Sequence, residues 1–243
     1  MAISPDRFDA VIFDMDGVVT DTASLHARAW KRMFDDYLRK RTDEYEPFRD
    51  EDYLRYVDGK PRYDGVAAFL ASRGIELSFG RPDDPPERET VCGLGNRKNA
   101  LFWQLLDEQG PQRFESTVRL LHDLRQHGMA TAVISSSRNA AAVLDAAGVR
   151  DLFEAEVDGQ EAERLGLTGK PDPAVFLEAA RRLGTVPPRA VVVEDALAGV
   201  QAGHAGGFGL VIGVDRGGQP DELAAAGADV VVDDLARVHV QPS

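Results

Sequence analysis

Short apolar runs that break off into polar, mostly ionisable residues are the main pattern of this chain. Ala10-Val11-Ile12-Phe13 leads into Asp14-Met15-Asp16-Gly17, and Ala130-Thr131-Ala132-Val133-Ile134 into Ser135-Ser136-Ser137-Arg138-Asn139. Ala190-Val191-Val192-Val193 leads into Glu194-Asp195. Such runs, bounded by turn-forming residues, predict strands at 10–13, 130–134 and 190–193, with two more at 210–214 and 229–232. From residue 117 onward these strands alternate with helical stretches, the signature of a parallel sheet with crossover helices. The first strand must join them.

Between residues 23 and 108 the period changes. Leu25, Ala29, Trp30 and Met33 recur at helical spacing, and no strand pattern interrupts the region. Helices are expected at 23–39, 50–57, 63–73 and 87–107. The stretch Gly80-Arg81-Pro82-Asp83-Asp84-Pro85-Pro86 is a loop. Gly93 and Gly95 weaken the last helix. The expected fold is therefore α/β, a doubly wound parallel sheet at 1–22 and 109–243, with a helical domain inserted at 23–108 as a cap.

The residues at the strand ends bring in chemistry. In an open α/β sheet, ligands bind at the carboxyl ends of the strands. Asp14 and Asp16 repel each other within one turn, so a positive charge should sit between them. A hard cation held by carboxylates, water and a substrate phosphate meets that need. One carboxylate could then attack phosphorus as a covalent carrier. Ser135, Ser136 and Ser137 precede a helix expected at 139–147, where hydroxyls and free N–H groups suit a phosphate or simply cap the helix. Lys170 precedes Pro171 and a helix running to about residue 183, and it would neutralise charge shared by Asp14 and a phosphoryl group. Asp195 would complete a metal site with Glu194 beside it, although acids at a helix start are favoured by the dipole alone. Arg181 and Arg182 read as a solvated helix face.

Composition narrows the function classes. The chain has 243 residues, 43% hydrophobic and 28% charged, with a net charge of −13. That charge argues against a nucleic-acid partner, which would need a basic stripe. No run of 18 apolar residues predicts a membrane span, and the N-terminus lacks a signal-peptide pattern. The single cysteine, Cys92, reads as a small apolar helix residue in a reducing compartment. A cytoplasmic monomer is expected.

Asp14-x-Asp16-Gly17, the serine cluster, Lys170 and Glu194-Asp195, in that order, resemble the four motifs of the haloacid dehalogenase superfamily. Asp14 to Thr22, His26, Ala29-Trp30 and Lys98-Asn99 are similar more narrowly to its β-phosphoglucomutase family. The resemblance implies interconversion of β-glucose 1-phosphate and glucose 6-phosphate. Asp14 would carry the phosphoryl group, and Asp16 would act as general acid and base. Mg2+ would be held by Asp14, Asp195 and the Asp16 backbone carbonyl, with Glu194 in support. Ser135 and Lys170 would hold the transferring oxygens, with Ser136, Ser137 and Asn139 nearby. Arg62, in Gly59-Lys60-Pro61-Arg62, would clamp the second phosphate of a bisphosphate intermediate, helped by Lys60, Lys98 and Arg138. Thr22 and His26 would contact the substrate, and glucose 1,6-bisphosphate would be the activator. The alternative implied is a Mg2+-dependent sugar-phosphate phosphatase with the same chemistry. Asp58 and Ser136 depart from the family pattern, which commonly has Lys and Ala there, and the loop at 80–86 is extra length.

Overall fold

The computed structural model describes residues 1–41 and 45–241. They form two compact units, one of Met1–Asp21 with Pro111–Ser243 and the other of Thr22–Gly110. The strands of the first unit are β1 (Ala2–Ile3), β2 (Ala10–Asp14), β3 (Ala130–Ile134), β4 (Ala155–Val157), β5 (Ala190–Glu194), β6 (Leu210–Val214), β7 (Val230–Val232) and β8 (His239–Val240). Six make one parallel sheet in the order β4-β3-β2-β5-β6-β7, and β1 pairs with β8 apart from it. Counted from β2, this is the 3-2-1-4-5-6 order of a doubly wound sheet, in which strand order reverses between β2 and β5. Phe13 lies opposite Val193 and Asp14 opposite Ile134, so the acids of β2 and β5 finish at one level.

β2 and β5 are buried along their whole length, as their unbroken apolar runs require when helices cover both faces of a sheet. The covering helices are α5 (Glu115–Gln126), α6 (Ala140–Ala146), α7 (Gly159–Leu165), α8 (Ala174–Arg182), α9 (Leu197–Ala205) and α10 (Pro220–Ala225). One apolar cluster joins Ile12, Ile134, Val192 and Val211 of the sheet to Phe176, Ala179 and Val200 of the helices.

Three strands escape the sequence pattern. β4 is three residues long and carries Glu156 at the sheet edge, and β1 and β8 are two residues each. Arg182 is not a solvated face residue as expected. It is half-buried, paired with Glu178 and Glu161, and donates to the Glu156 carbonyl at 2.8 Å, tying α8 to β4. Arg181 is exposed and paired with Glu178.

The second unit holds α1 (Ala23–Arg41), α2 (Asp50–Asp52) running into a π-helical turn (Tyr53–Val57), α3 (Arg62–Ser72) and α4 (Val91–Gln109). It contains no strand among the described residues. Its core packs Trp30, Phe34, Phe48, Phe69 and Leu94, with the Phe34 and Phe69 rings 4.1 Å apart. α4 begins at Val91, four residues later than its sequence suggests. Thr90 accepts from the Gly93 N–H at 2.9 Å and donates to buried Asp84 at 2.7 Å, which caps the helix there. Gly95 has a packing reason, since a Cβ there would stand 2.7 Å from the Tyr63 ring. Cys92 is fully buried, and burial pushes its thiol pKa up. No helix among the described residues is long and apolar enough to cross a membrane.

Candidate active site

The first unit gathers most of the ionisable residues singled out at the strand ends. Asp14 closes β2 and Glu194 closes β5, both buried. Lys170, also buried, reaches between them from the loop before α8, and its ammonium donates to Asp14 Oδ1 and Glu194 Oε1. The Lys170–Pro171 bond is cis. Burial works against the Lys170 charge, but Asp14 and Glu194 outweigh it and hold the pKa above the ordinary lysine value. Burial also pushes the Asp14 carboxyl well upward. Lys170 opposes that shift, while Glu194 and Asp16 add to it. One ammonium thus faces several carboxylates, which leaves a surplus of negative charge.

Oxygens of Asp14, Glu194 and Asp195 lie within 4.8 Å of one another. An all-oxygen, carboxylate-rich donor set with surplus negative charge fits a hard divalent cation. Within it, Glu194 already accepts from Lys170 through Oε1 and from the Ala196 N–H through Oε2 at 2.7 Å. Glu194 is therefore engaged in holding Lys170 and the turn into α9. Asp195 is half-buried, and its carboxylate lies against Gly17. Gly17 has φ +87°, and a Cβ there would stand 1.8 Å from Asp195 Oδ2, so only glycine fits.

The hydroxyl cluster faces the same acids. Ser135 donates to Asp16 Oδ2 at 3.1 Å, and its oxygen accepts from the Ser137 N–H at 3.0 Å. Ser137 Oγ accepts from the Asn139 N–H at 3.1 Å. Ser136 and Asn139 are half-buried on this loop. Arg138 pairs with Glu163 of α7 at 3.0 Å.

The second unit assembles its own cluster. Lys98 is buried, approaches His26 Nδ1, and lies 5.0 Å over Trp30 and 5.3 Å over Phe102. His26 stacks on Phe102 at 4.1 Å. Accepting from an ammonium at Nδ1 places the proton of a neutral ring on Nε2. Thr22 is buried and accepts from the His26 N–H at 2.9 Å. Arg62 is the first residue of α3, where a cation opposes the helix dipole, and it lies against Tyr63 and Gly95. Gly59 has φ +67° in the turn before it, and Lys60 donates to the Arg55 carbonyl at 3.4 Å.

Arg216 was not singled out from the sequence. It follows β6, the strand beside β5, and donates to the Gly17 carbonyl at 2.9 Å. Its signal was an arginine just past the carboxyl end of a strand in the site-bearing half of the sheet.

Sheet order, strand-end acids and buried lysine define the fold and site of one class of α/β protein. The chain belongs to the haloacid dehalogenase-like hydrolase family, whose model matches residues 8–207. It is 48% identical over 242 residues to a β-phosphoglucomutase of Mycobacterium bovis, covering 96% of this chain and 92% of that one. Identity to the β-phosphoglucomutase of Bacillus subtilis is 34%, over 92% and 88% of the two chains. A crystal structure of β-phosphoglucomutase from Clostridium difficile superimposes with TM-score 0.77 at 26% identity, covering 95% of this chain and 92% of that one.

Proposed function

We propose that this chain is a Mg2+-dependent sugar-phosphate mutase that interconverts β-D-glucose 1-phosphate and glucose 6-phosphate. The observation that carries the reading is Lys170 set between Asp14 and Glu194, with Asp195 beside them and Ser135 on Asp16. The 48% identity to a protein named β-phosphoglucomutase supports the same reaction.

Asp14 attacks the phosphoryl group and becomes an aspartyl phosphate, and the sugar hydroxyl leaves with a proton from Asp16. In the second half-reaction Asp16 takes the proton from the 6-hydroxyl of β-glucose 1-phosphate as that oxygen attacks the phosphoryl group, which frees Asp14 and gives the sugar bisphosphate from which Asp14 takes the 1-phosphoryl group in the next cycle. Ser135 holds Asp16 in place and, with Ser136, Ser137 and Asn139, offers hydrogen bonds to phosphoryl oxygens. Lys170 balances the charge that develops on them. Asp14, Asp195 and the Asp16 carbonyl would hold Mg2+, with Glu194 orienting Lys170. The ion would offset the surplus negative charge and keep Asp14 ionised. In the helical unit, Arg62 and Lys98, with Gly59, Lys60, Thr22 and His26, bind the sugar and the phosphate that is not transferred. Arg138, paired with Glu163, is a weaker candidate for that phosphate. Glucose 1,6-bisphosphate is the activator, and the enzyme works as a cytoplasmic monomer on phosphosugars.

Phosphorus NMR tests this with Mg2+, β-glucose 1-phosphate and a trace of glucose 1,6-bisphosphate. The expected product is glucose 6-phosphate with little inorganic phosphate. Inorganic phosphate as the main product would overturn the mutase and leave a phosphatase using water as the acceptor.

A further inference from the structure

We propose that Arg216 is a positioning residue for the metal side of this site, holding the Gly17 peptide against Asp195. The inference rests on the metal-dependent reading above, and it concerns a residue that does not touch the reacting atoms.

The loop that follows Asp14 is tied almost carbonyl by carbonyl. Met15 O accepts from the Val19 and Thr20 N–H groups, each at 2.9 Å, and Thr20 O accepts from the Gly17 N–H at 2.8 Å. Val18 O accepts from the Thr117 hydroxyl at 2.6 Å, and Val19 O from the Phe114 N–H at 3.0 Å. The Gly17 carbonyl has a different kind of partner, the charged Arg216 Nε, which comes from 199 residues along the chain.

Arg216 is itself held in place. The Asp215 N–H donates to Val232 O at 2.7 Å, which fixes the backbone at the end of β6. The guanidinium carbon lies 3.8 Å from the Phe114 ring centroid, and Nη1 reaches the Asp233 carbonyl at 3.4 Å. Nη2 is buried and makes no hydrogen bond among the described residues. A buried N–H without an acceptor is unfavourable, so packing stability alone is a poor account of an arginine here.

The geometry supplies a better account. The Asp195 carboxylate rests against the Cα of Gly17, the residue that directly follows Asp16 and whose carbonyl Arg216 holds. A planar cation stacked on Phe114 fixes the carbonyl in one orientation. Without that bond the peptide can rotate, and Asp195 loses its fixed wall.

The test is calorimetric titration of Mg2+ into the sugar-free protein, wild type and Arg216→Met. Groups that orient a metal's ligands typically contribute ~10–100-fold to its affinity, and a loss in that range is expected. The thermal midpoint without Mg2+ should stay near the wild-type value. Arg216→Lys should recover part of the affinity, since lysine donates but lacks the flat fork. Mg2+ affinity within about twofold of wild type would overturn the proposal, as would a lowered midpoint with unchanged affinity, which marks a plain brace. If Arg216→Met does not fold, Phe114→Leu takes its place, with a smaller loss in the same direction expected and no loss overturning the idea. Mg2+ affinity that depends on Arg216 in a protein that turns over no phosphosugar would sink the mutase reading and leave this proposal standing. Wild-type protein that binds no Mg2+ would overturn both.

Discussion

Lys170 is buried and pairs with two buried carboxylates at once, Asp14 and Glu194. Removing it leaves Asp14 and Glu194 buried without the ammonium that pairs them. Breaking a buried pair in this way costs ~3–5 kcal/mol, and losing a donor aimed at developing charge costs ~10²–10³ in kcat. Lys170→Met should therefore show both a lowered urea midpoint and a fall in kcat of that size. A variant as stable and as fast as wild type would show that Lys170 has no such role. Gly17→Ala is the complementary case. Its φ of +87° and the 1.8 Å approach to Asp195 mean that even a methyl group displaces the acid. A loss of at least ~1 kcal/mol of stability is expected, with weakened Mg2+ binding by calorimetry. At this scale the sequence was most legible, because acids and hydroxyls that directly follow buried apolar runs stand at the carboxyl ends of the strands, where an open α/β sheet binds ligands. It was least legible for Arg216, whose partner is a backbone carbonyl and leaves no pattern of residue types.

Helix and strand boundaries depended on neighbours as much as on local pattern. β2, β3, β5 and β6 could be read because strands buried on both faces are unbroken apolar runs. β4 could not, because three residues at a sheet edge need no such run. Beside its ladder to β3, β4 is tied to α8 by the charge cluster centred on Arg182. Hydrogen bonds from Arg164 and Arg182 lower the Glu161 pKa from 4.5 to about 2, and those from Arg181 and Arg182 lower Glu178 equally. Because the folded values are depressed, this contribution is fully present above the ordinary carboxyl pKa. It is lost as pH falls from there toward about 2. Arg182→Ala should accordingly unfold at a higher pH than wild type when circular dichroism is followed during acidification. Coincident acid transitions would mean the cluster adds nothing to the fold. The start of α4 has the same lesson, since the Thr90 cap depends on Asp84, a partner reached only after a turn.

For the whole molecule the governing quantity is charge. The chain carries a net −13, and part of that surplus is concentrated where β2 and β5 end. An ion bound there stabilises the folded state in proportion to its occupancy, by about 2.7 kcal/mol at a concentration one hundred times its dissociation constant. For a chain of this size that is an upward shift of roughly 5–10 °C in thermal midpoint. Mg2+ should produce such a shift in wild type and not in Asp195→Asn, as read by differential scanning calorimetry. An equal shift in both would place the ion elsewhere.

The sequence by itself determined the class of fold, the inserted helical region and the identity of the strand-end acids, hydroxyls and lysine. Those features are local: an apolar run, a change of period, a residue type at a fixed offset. The tertiary structure decided which groups share a proton donor, which acid holds Lys170 and which lies against Gly17, and that Arg216 grips the loop. Glu194 and Asp195 are adjacent and alike as letters. One is buried with both oxygens engaged and the other is half-buried, because the strand ends between them. Side chains alternate faces along a strand, and the sheet places partners together that are more than a hundred residues apart in the chain.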